Sequence, residues 1–356
     1  MRVTFFLRYG MNREKWIDVA RCLGIFGIYS VHMGESIGSA YIFFFKFIVP
    51  LFFFLAGCTE TYQKDVSFFD YVRLKVKRIL LPTFLFVLFV MLVRLLQDVS
   101  VLGPIKTLLN AIIYGEQRNL AYVGSLWFFT CLFVIQVFFR ALCILKNKWV
   151  VLALSVGLLL ISEYALPHRP MLEPKWAWNV DSAMFYIFYY ALGFVFYPYL
   201  HNWFLLDTKK KRISWLVVAL VSIVYTIAIF GQTEALLIKY SEMYAQLVAH
   251  PVYSELNLVV ICPCLIIMCI LCLSKLFEKV EVFNLYGMNT LYLCGNELIM
   301  KMVVPSLMGL VGLELQFPSP ITAYFYCILL MFLTYKFVIP VQKNMMSWME
   351  GHISIN

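Results

Sequence analysis

The first hydrophobic stretch of the sequence carries ionisable side chains at a regular spacing. Arg21 and His32 are eleven positions apart. At about 100° per residue this is close to three whole helical turns, so both side chains are expected on one face, about 16 Å apart. Asp18 and Glu35 fall near the same stripe. Because ionisable groups inside a membrane span are costly and mark functional sites, this stripe predicts a polar line that borders a cavity through the membrane.

Each of these residues also has a purely structural interpretation. Arg21 can extend to the membrane surface and pair with Asp18 three residues before it. His32 can be a hydrogen-bonded side chain near the opposite surface. The cavity is favoured because all four ionisable residues share one helix face.

Three further cations lie at positions that suit ligand binding. Lys46 interrupts the second hydrophobic stretch about 9 Å from its outer end, at a depth similar to that of His32, which predicts a common pocket. The alternative is a lysine that extends outward to the surface. Lys75 and Arg78 share a helix face at the start of the third stretch, and such paired cations suit the phosphates of a cofactor. Their alternative is the ordinary positive charge of a cytoplasmic loop.

Composition places these residues in an all-α integral membrane protein. Of the 356 residues 62% are hydrophobic and 14% are charged, whereas soluble domains are about half apolar and about a quarter charged. We predict one transmembrane domain, residues 1–356, that forms a bundle of about ten transmembrane helices. The predicted spans are 17–36, 40–58, 79–97, 121–144, 149–166, 182–200, 213–232, 254–274, 285–311 and 320–341.

The net charge of +9 comes mainly from short connections on one side of the predicted membrane. The positive-inside rule therefore places the N- and C-termini in the cytoplasm and argues against nucleic-acid binding. Most of the ten cysteines fall inside predicted spans, and we interpret them as small buried hydrophobic side chains. No metal site and no disulfide framework is predicted from them.

Several motifs together resemble the acyltransferase-3 family of membrane O-acyltransferases. The family has an Arg, ten residues and a His in its first span, within a Leu-Asp-x-x-Arg context, a Phe-Phe-x-x-Ser-Gly second-span motif and an Arg-x-x-Arg pair before the third span. A subgroup likened to fucose acetyltransferases adds Leu-Trp-Phe-Leu and Gly-x-Asn-Thr-Leu segments. The corresponding residues here are Ile17, Asp18, Arg21 and His32; Phe53, Phe54, Ala56 and Gly57; Lys75 and Arg78; Leu126, Trp127, Phe128 and Phe129; Gly287, Asn289, Thr290 and Leu291.

The chain departs from these motifs at a few positions. Ala56 replaces the Ser of the second-span motif, and Lys75 replaces the first Arg of the basic pair. Asn296 and Glu297 stand near the place of a His that commonly closes the last motif.

The resemblance implies transfer of an acetyl or other acyl group from cytoplasmic acetyl-CoA (acyl-CoA) to a sugar hydroxyl. The glycan acceptor would be a cell-surface polysaccharide or its lipid-linked precursor, and the location the inner membrane of a bacterium. His32 would act as general base or carry the acyl group briefly. Asp18 and Glu35 would be partners of Arg21 and His32. The remaining predicted roles are CoA phosphate contacts for Lys75 and Arg78, stabilisation of the carbonyl oxygen for Lys46, and a substrate-site position for Trp127.

A transporter or flippase for a glycan or lipid-linked sugar is the main alternative. It would also need a polar line through the membrane and broken helices. Dependence on acyl-CoA separates the two hypotheses, because a transporter needs no phosphate-binding pair aligned with one buried His.

Overall fold

A computed structural model describes residues 13–38, 40–60, 66–97, 124–168, 170, 174–205, 207–242 and 260–352, with single positions at 106, 109, 113 and 114. All regular secondary structure in these ranges is helical. The helices that we number are α1 (Lys15–Val31), α2 (Ala40–Cys58), α3 (Phe68–Lys75), α4 (Leu81–Gln97), α5 (Trp127–Leu142), α6 (Lys148–Tyr164), α7 (Val180–Leu205), α8 (Lys209–Glu242), α9 (Cys262–Leu276), α10 (Glu281–Met288), α11 (Thr290–Leu310), α12 (Pro320–Leu333) and α13 (Ile339–His352).

Six helical stretches within the described ranges are long and apolar enough to cross a membrane. Two shorter apolar helices, Phe47–Cys58 and Cys262–Leu276, lie among them. The protein is therefore a multi-pass helical membrane protein, whereas the count of ten spans and the orientation of the termini stay predictions. The six stretches are Phe68–Leu96, Gly124–Leu145, Ala177–Leu205, Lys209–Ala228, Thr290–Leu310 and Pro320–Met345.

Local sequence explains several helix starts. The Ser67 hydroxyl accepts the Asp70 backbone N–H at the start of α3, and the Asn147 side chain accepts the Trp149 N–H at the start of α6. Helix α12 begins with a capping box formed by Ser319 and Thr322. Such caps satisfy amide groups that the first helical turn leaves without a partner.

The structure shortens or divides two predicted spans. The first, 17–36, contains α1 only as far as Val31, and a 3₁₀ turn (Gly34–Ile37) follows. Gly34 adopts φ 59°, a left-handed conformation that does not continue a right-handed helix. Glycine adopts it easily because it has no Cβ. The ninth, 285–311, is divided at Asn289 between α10 and α11, and Pro305 lies inside α11.

Helix α1 lies at the centre of the bundle, in contact with α2, α9, α10, α11 and α12. Helix α2 also packs closely on α7, because Gly57 and Gly193 let the two backbones approach each other. A Cβ on Gly57 would overlap the Tyr190 carbonyl oxygen, and a Cβ on Gly193 would overlap that of Phe54. Small residues at helix contacts are a common way to pack helices in membranes.

Candidate active site

His32 follows the last residue of α1 and its ring meets a buried carboxylate from α11. The His32 Nδ1 lies 2.9 Å from Oε2 of Glu297. The His32 side chain is 37% exposed, whereas that of Glu297 is 1% exposed. One ring nitrogen is therefore held by the protein, and the other is on a side chain that a substrate can reach.

Lys301 completes this group from the next turn of α11. Its Nζ lies 2.7 Å from Oε1 of Glu297, the carboxylate oxygen that does not face His32. The same Nζ donates a hydrogen bond to the Tyr29 backbone oxygen at 3.0 Å, in the last turn of α1. We call His32, Glu297 and Lys301 the His32 triad. In this triad one carboxylate oxygen of Glu297 faces His32 and the other faces Lys301.

Several polar contacts fix α11 against its neighbours near the triad. The Tyr29 hydroxyl donates to the Leu293 backbone oxygen at 2.9 Å. Asn296 and Gln342 form a reciprocal pair of buried amide hydrogen bonds, at 2.7 and 2.8 Å. Because buried polar groups that are all satisfied specify one arrangement, these bonds set the register of α11 against α1 and α13.

Arg21 and Asp18 lie in a separate cluster toward the start of α1. Asp18 accepts two hydrogen bonds from Arg13, at 2.5 and 3.0 Å, and lies 3.7 Å from the Arg21 guanidinium. Arg21 also donates to the Thr59 hydroxyl at 3.3 Å. The predicted polar line therefore consists of two groups, one around Asp18 and the other around His32. We call the end of the bundle that holds Arg13, Asp18 and Arg21 the basic end.

Lys75 lies at the basic end but is held inside the protein. Its Nζ donates to Oε2 of Glu60 at 2.9 Å, and that oxygen also accepts the Tyr190 hydroxyl at 2.6 Å. Lys75 further lies over the Tyr71 ring, 4.8 Å from its centroid. The side chains of Lys75 and Glu60 are 14% and 7% exposed, so this lysine balances a buried carboxylate.

Arg78 differs from Lys75 in its surroundings. A π-helical turn (Val76–Leu80) follows α3, and Arg78 is exposed on it. Lys75 and Arg78 therefore differ in exposure, and a π-helical turn stands where a regular helix is predicted. Exposed cations of this turn can therefore meet an anionic ligand more readily than Lys75 can.

The other predicted site residues occupy different places. Glu35 lies exposed on the 3₁₀ turn after α1, and the carboxylate that contacts His32 is that of Glu297. Trp127 begins α5 and its ring lies 6.2 Å from that of Tyr186. Lys46 belongs to α2, and its side chain lies outside the described part of the chain.

Sequence reasoning missed the roles of Glu297 and Lys301. The available signal was two opposite charges four residues apart inside an apolar stretch, a spacing that places them on one helix face. Nothing in the sequence indicates that this face meets the end of α1. Within the described ranges, no group of three or more His, Cys, Asp and Glu side chains could hold a metal ion.

Two other histidines pair with carboxylates, and their surroundings differ from those of His32. His168 lies 2.8 Å from Asp181, but their side chains are only 3% and 0% exposed. His201 lies 2.5 Å from Glu14 at the basic end, where the Glu14 side chain is 20% exposed. Only the His32 pair, among these three, joins an accessible ring to a buried carboxylate that has a lysine partner.

Comparison with known proteins identifies the family. A family model described as an acyltransferase domain matches residues 14–335, a range that contains α1 to α12 and the whole His32 triad. No curated protein and no solved structure gives a significant match. Since the family match extends over most of the sequence, the chain belongs to the acyltransferase-3 family and is a membrane acyltransferase.

Proposed function

We propose that the protein is a membrane O-acyltransferase that moves an acetyl group from acyl-CoA to a sugar hydroxyl. The acceptor is a cell-surface polysaccharide or its lipid-linked precursor, and the protein acts in the inner membrane of a bacterium. The observation that carries the proposal is the contact of 2.9 Å between His32 and the buried Glu297. A histidine held by a carboxylate on one nitrogen is a general base on the other.

In the proposed reaction His32 takes the proton of the acceptor hydroxyl on Nε2. The hydroxyl oxygen forms a bond to the thioester carbonyl carbon, and the carbon–sulfur bond breaks. His32 then passes its proton to the leaving thiolate, so that the thiol form of CoA and the O-acyl sugar are the products. Glu297 stabilises the imidazolium that exists between these two proton transfers. This general-base route fits the geometry without a covalent acyl-histidine.

The two ends of α1 support different tasks in this proposal. The basic end offers exposed cations, including Arg78, for the phosphates of acyl-CoA. Arg21 lies in the Asp18 cluster at this same end, where it can contact the donor. We propose that the flexible arm of the donor extends into the bundle while the acceptor approaches His32 from the opposite end. Lys46 and Trp127 stay proposed substrate-site residues.

A transfer assay tests the proposal. Purified protein in lipid is incubated with radiolabelled acetyl-CoA and a panel of glycans, beside His32→Ala and His201→Ala. His201→Ala is the matched control, because it also removes a carboxylate-paired histidine. We expect labelled sugar with the wild type and His201→Ala but not with His32→Ala. Folded wild-type protein that neither binds CoA nor transfers label would contradict the proposal and favour glycan transport.

A further inference from the structure

We propose that Lys301 is a positioning residue for acyl transfer: it holds Glu297 as a carboxylate against His32, so that the His32 ring rests neutral and ready to accept a proton. The inference rests on the proposed role of His32 as general base. It assigns a task to a residue that none of the sequence motifs includes.

The geometry of the carboxylate is the first argument. Glu297 presents Oε2 to His32 at 2.9 Å and Oε1 to Lys301 at 2.7 Å, so both oxygens are engaged. Its side chain is 1% exposed, and water therefore contributes little to its solvation. A buried carboxylate without a cation would tend to bind a proton. Lys301 supplies the cation from its own helix and removes that tendency.

Charge balance is the second argument. With neutral His32, the cation of Lys301 and the anion of Glu297 sum to zero. When His32 accepts a proton, the His32 triad carries one net positive charge. If Lys301 were absent, the resting pair would carry a net negative charge in a buried place and would bind its first proton more tightly. The lysine therefore offsets the negative charge that Glu297 presents to His32.

Among the side chains that the structure describes, no other group close to the His32 triad can take over this task. The further titratable side chains in that set that face it are Tyr29 from α1, Cys294 from α11 and Cys327 from α12. Tyrosine and cysteine side chains are ordinarily neutral at pH 7. Lys301 is the cation that contacts Glu297 among the residues that the structure describes.

Lys301 also joins the two helices that carry the pair. Its hydrogen bond of 3.0 Å to the Tyr29 backbone oxygen ties α11 to the last turn of α1, three residues before His32. The same ammonium group thus sets both the charge of Glu297 and the position of the helix end that presents the imidazole. A lysine with only a packing role would not change the protonation of His32.

The experiment measures the protonation of His32 without relying on acyl transfer. Diethyl pyrocarbonate modifies neutral imidazole, and mass spectrometry of the peptide that contains His32 gives its rate of modification against pH. The proteins compared are wild type, Lys301→Gln, Lys301→Arg and Lys336→Gln. The last is the matched control, since Lys336 is an exposed lysine in the π-helical turn that follows α12. Lys301→Met serves as a second neutral variant if the glutamine protein does not fold.

We expect Lys301→Gln to move the midpoint of His32 modification upward by about 1 pH unit, because the unbalanced carboxylate retains the proton. Lys301→Arg and Lys336→Gln should keep the wild-type midpoint. In Lys301→Gln the acid limb of the pH profile of kcat/KM should move upward together with the midpoint of His32 modification. A wild-type midpoint in Lys301→Gln, or an equal shift in Lys336→Gln, would overturn the inference. If the midpoint shifted only in Lys301→Gln but the wild-type protein transferred no acyl group, the proposed function alone would be overturned.

Discussion

The Nδ1 of His32 and the Oε2 of Glu297 lie 2.9 Å apart, although His32 directly follows α1 and Glu297 belongs to α11. One partner is accessible and the other is buried. In the proposed reaction this difference separates their tasks, because the exposed ring can meet a substrate while the enclosed carboxylate holds the ring and compensates its charge. The arrangement leads to predictions for each member of the pair.

Replacing His32 by alanine should abolish transfer without preventing donor binding. Loss of a general base reduces kcat by about 10²- to 10⁴-fold. Because the exposed cations proposed to bind the donor lie at the basic end, CoA binding by isothermal calorimetry should stay at the wild-type level. Loss of CoA binding in a folded His32→Ala protein would contradict this separation of tasks.

Replacing Glu297 by glutamine should lower kcat about 10- to 100-fold with little change in KM, because the imidazolium loses its carboxylate. Glu35→Gln is the matched comparison, since Glu35 is the partner that sequence reasoning predicts for His32. Steady-state kinetics of both variants decide between the two carboxylates. A larger loss in Glu35→Gln than in Glu297→Gln would show that the contact in the structure is not the functional one.

The basic pair should separate into a structural and a binding residue. Arg78→Gln should raise KM for acyl-CoA about tenfold, because one charge-assisted contact to a phosphate is lost. Lys209→Gln, another exposed cation, is its control. If Arg78→Gln raised the KM for acyl-CoA no more than Lys209→Gln does, the donor site would have to lie elsewhere.

Lys75→Met should instead destabilise the protein by about 1 to 3 kcal/mol, because it leaves the Glu60 carboxylate buried without a cation. Thermal unfolding in detergent measures the loss. The double variant Glu60→Leu with Lys75→Met should recover stability, since no unpaired charge then remains. A double variant less stable than Lys75→Met would argue against this account.

Gly57→Ala should destabilise the contact between α2 and α7 by about 3 kcal/mol, because its methyl group overlaps the Tyr190 carbonyl oxygen. Gly157→Ala is the control, since no atom lies within 4 Å of a Cβ placed there. Alanine at that position in α6 should be neutral or stabilise by about 0.5 kcal/mol. Equal unfolding temperatures of the two variants would show that the helices separate easily.

Much of the basic end follows from local sequence patterns. The spacing of Asp18 and Arg21 predicts their contact, which the structure shows at 3.7 Å. Regular-helix geometry does not describe the segment after Lys75, because a π-helical turn (Val76–Leu80) lies between α3 and α4. A pattern of hydrophobic residues does not reveal such a turn, since its extra residue is accommodated by packing with other helices.

The sequence by itself determined the helical membrane architecture, because long apolar stretches in a bilayer must satisfy their backbone groups internally. It also contains Arg21 and His32 at the spacing that resembles the first-span motif of the family to which the chain belongs. Only the tertiary structure decided which carboxylate meets His32. Glu35 is near it in sequence, but the helix ends at Val31 and the following turn leaves Glu35 exposed. Glu297 reaches His32, and Lys301 reaches the Tyr29 backbone oxygen, because α11 packs against α1, a contact between distant segments that local spacing does not encode.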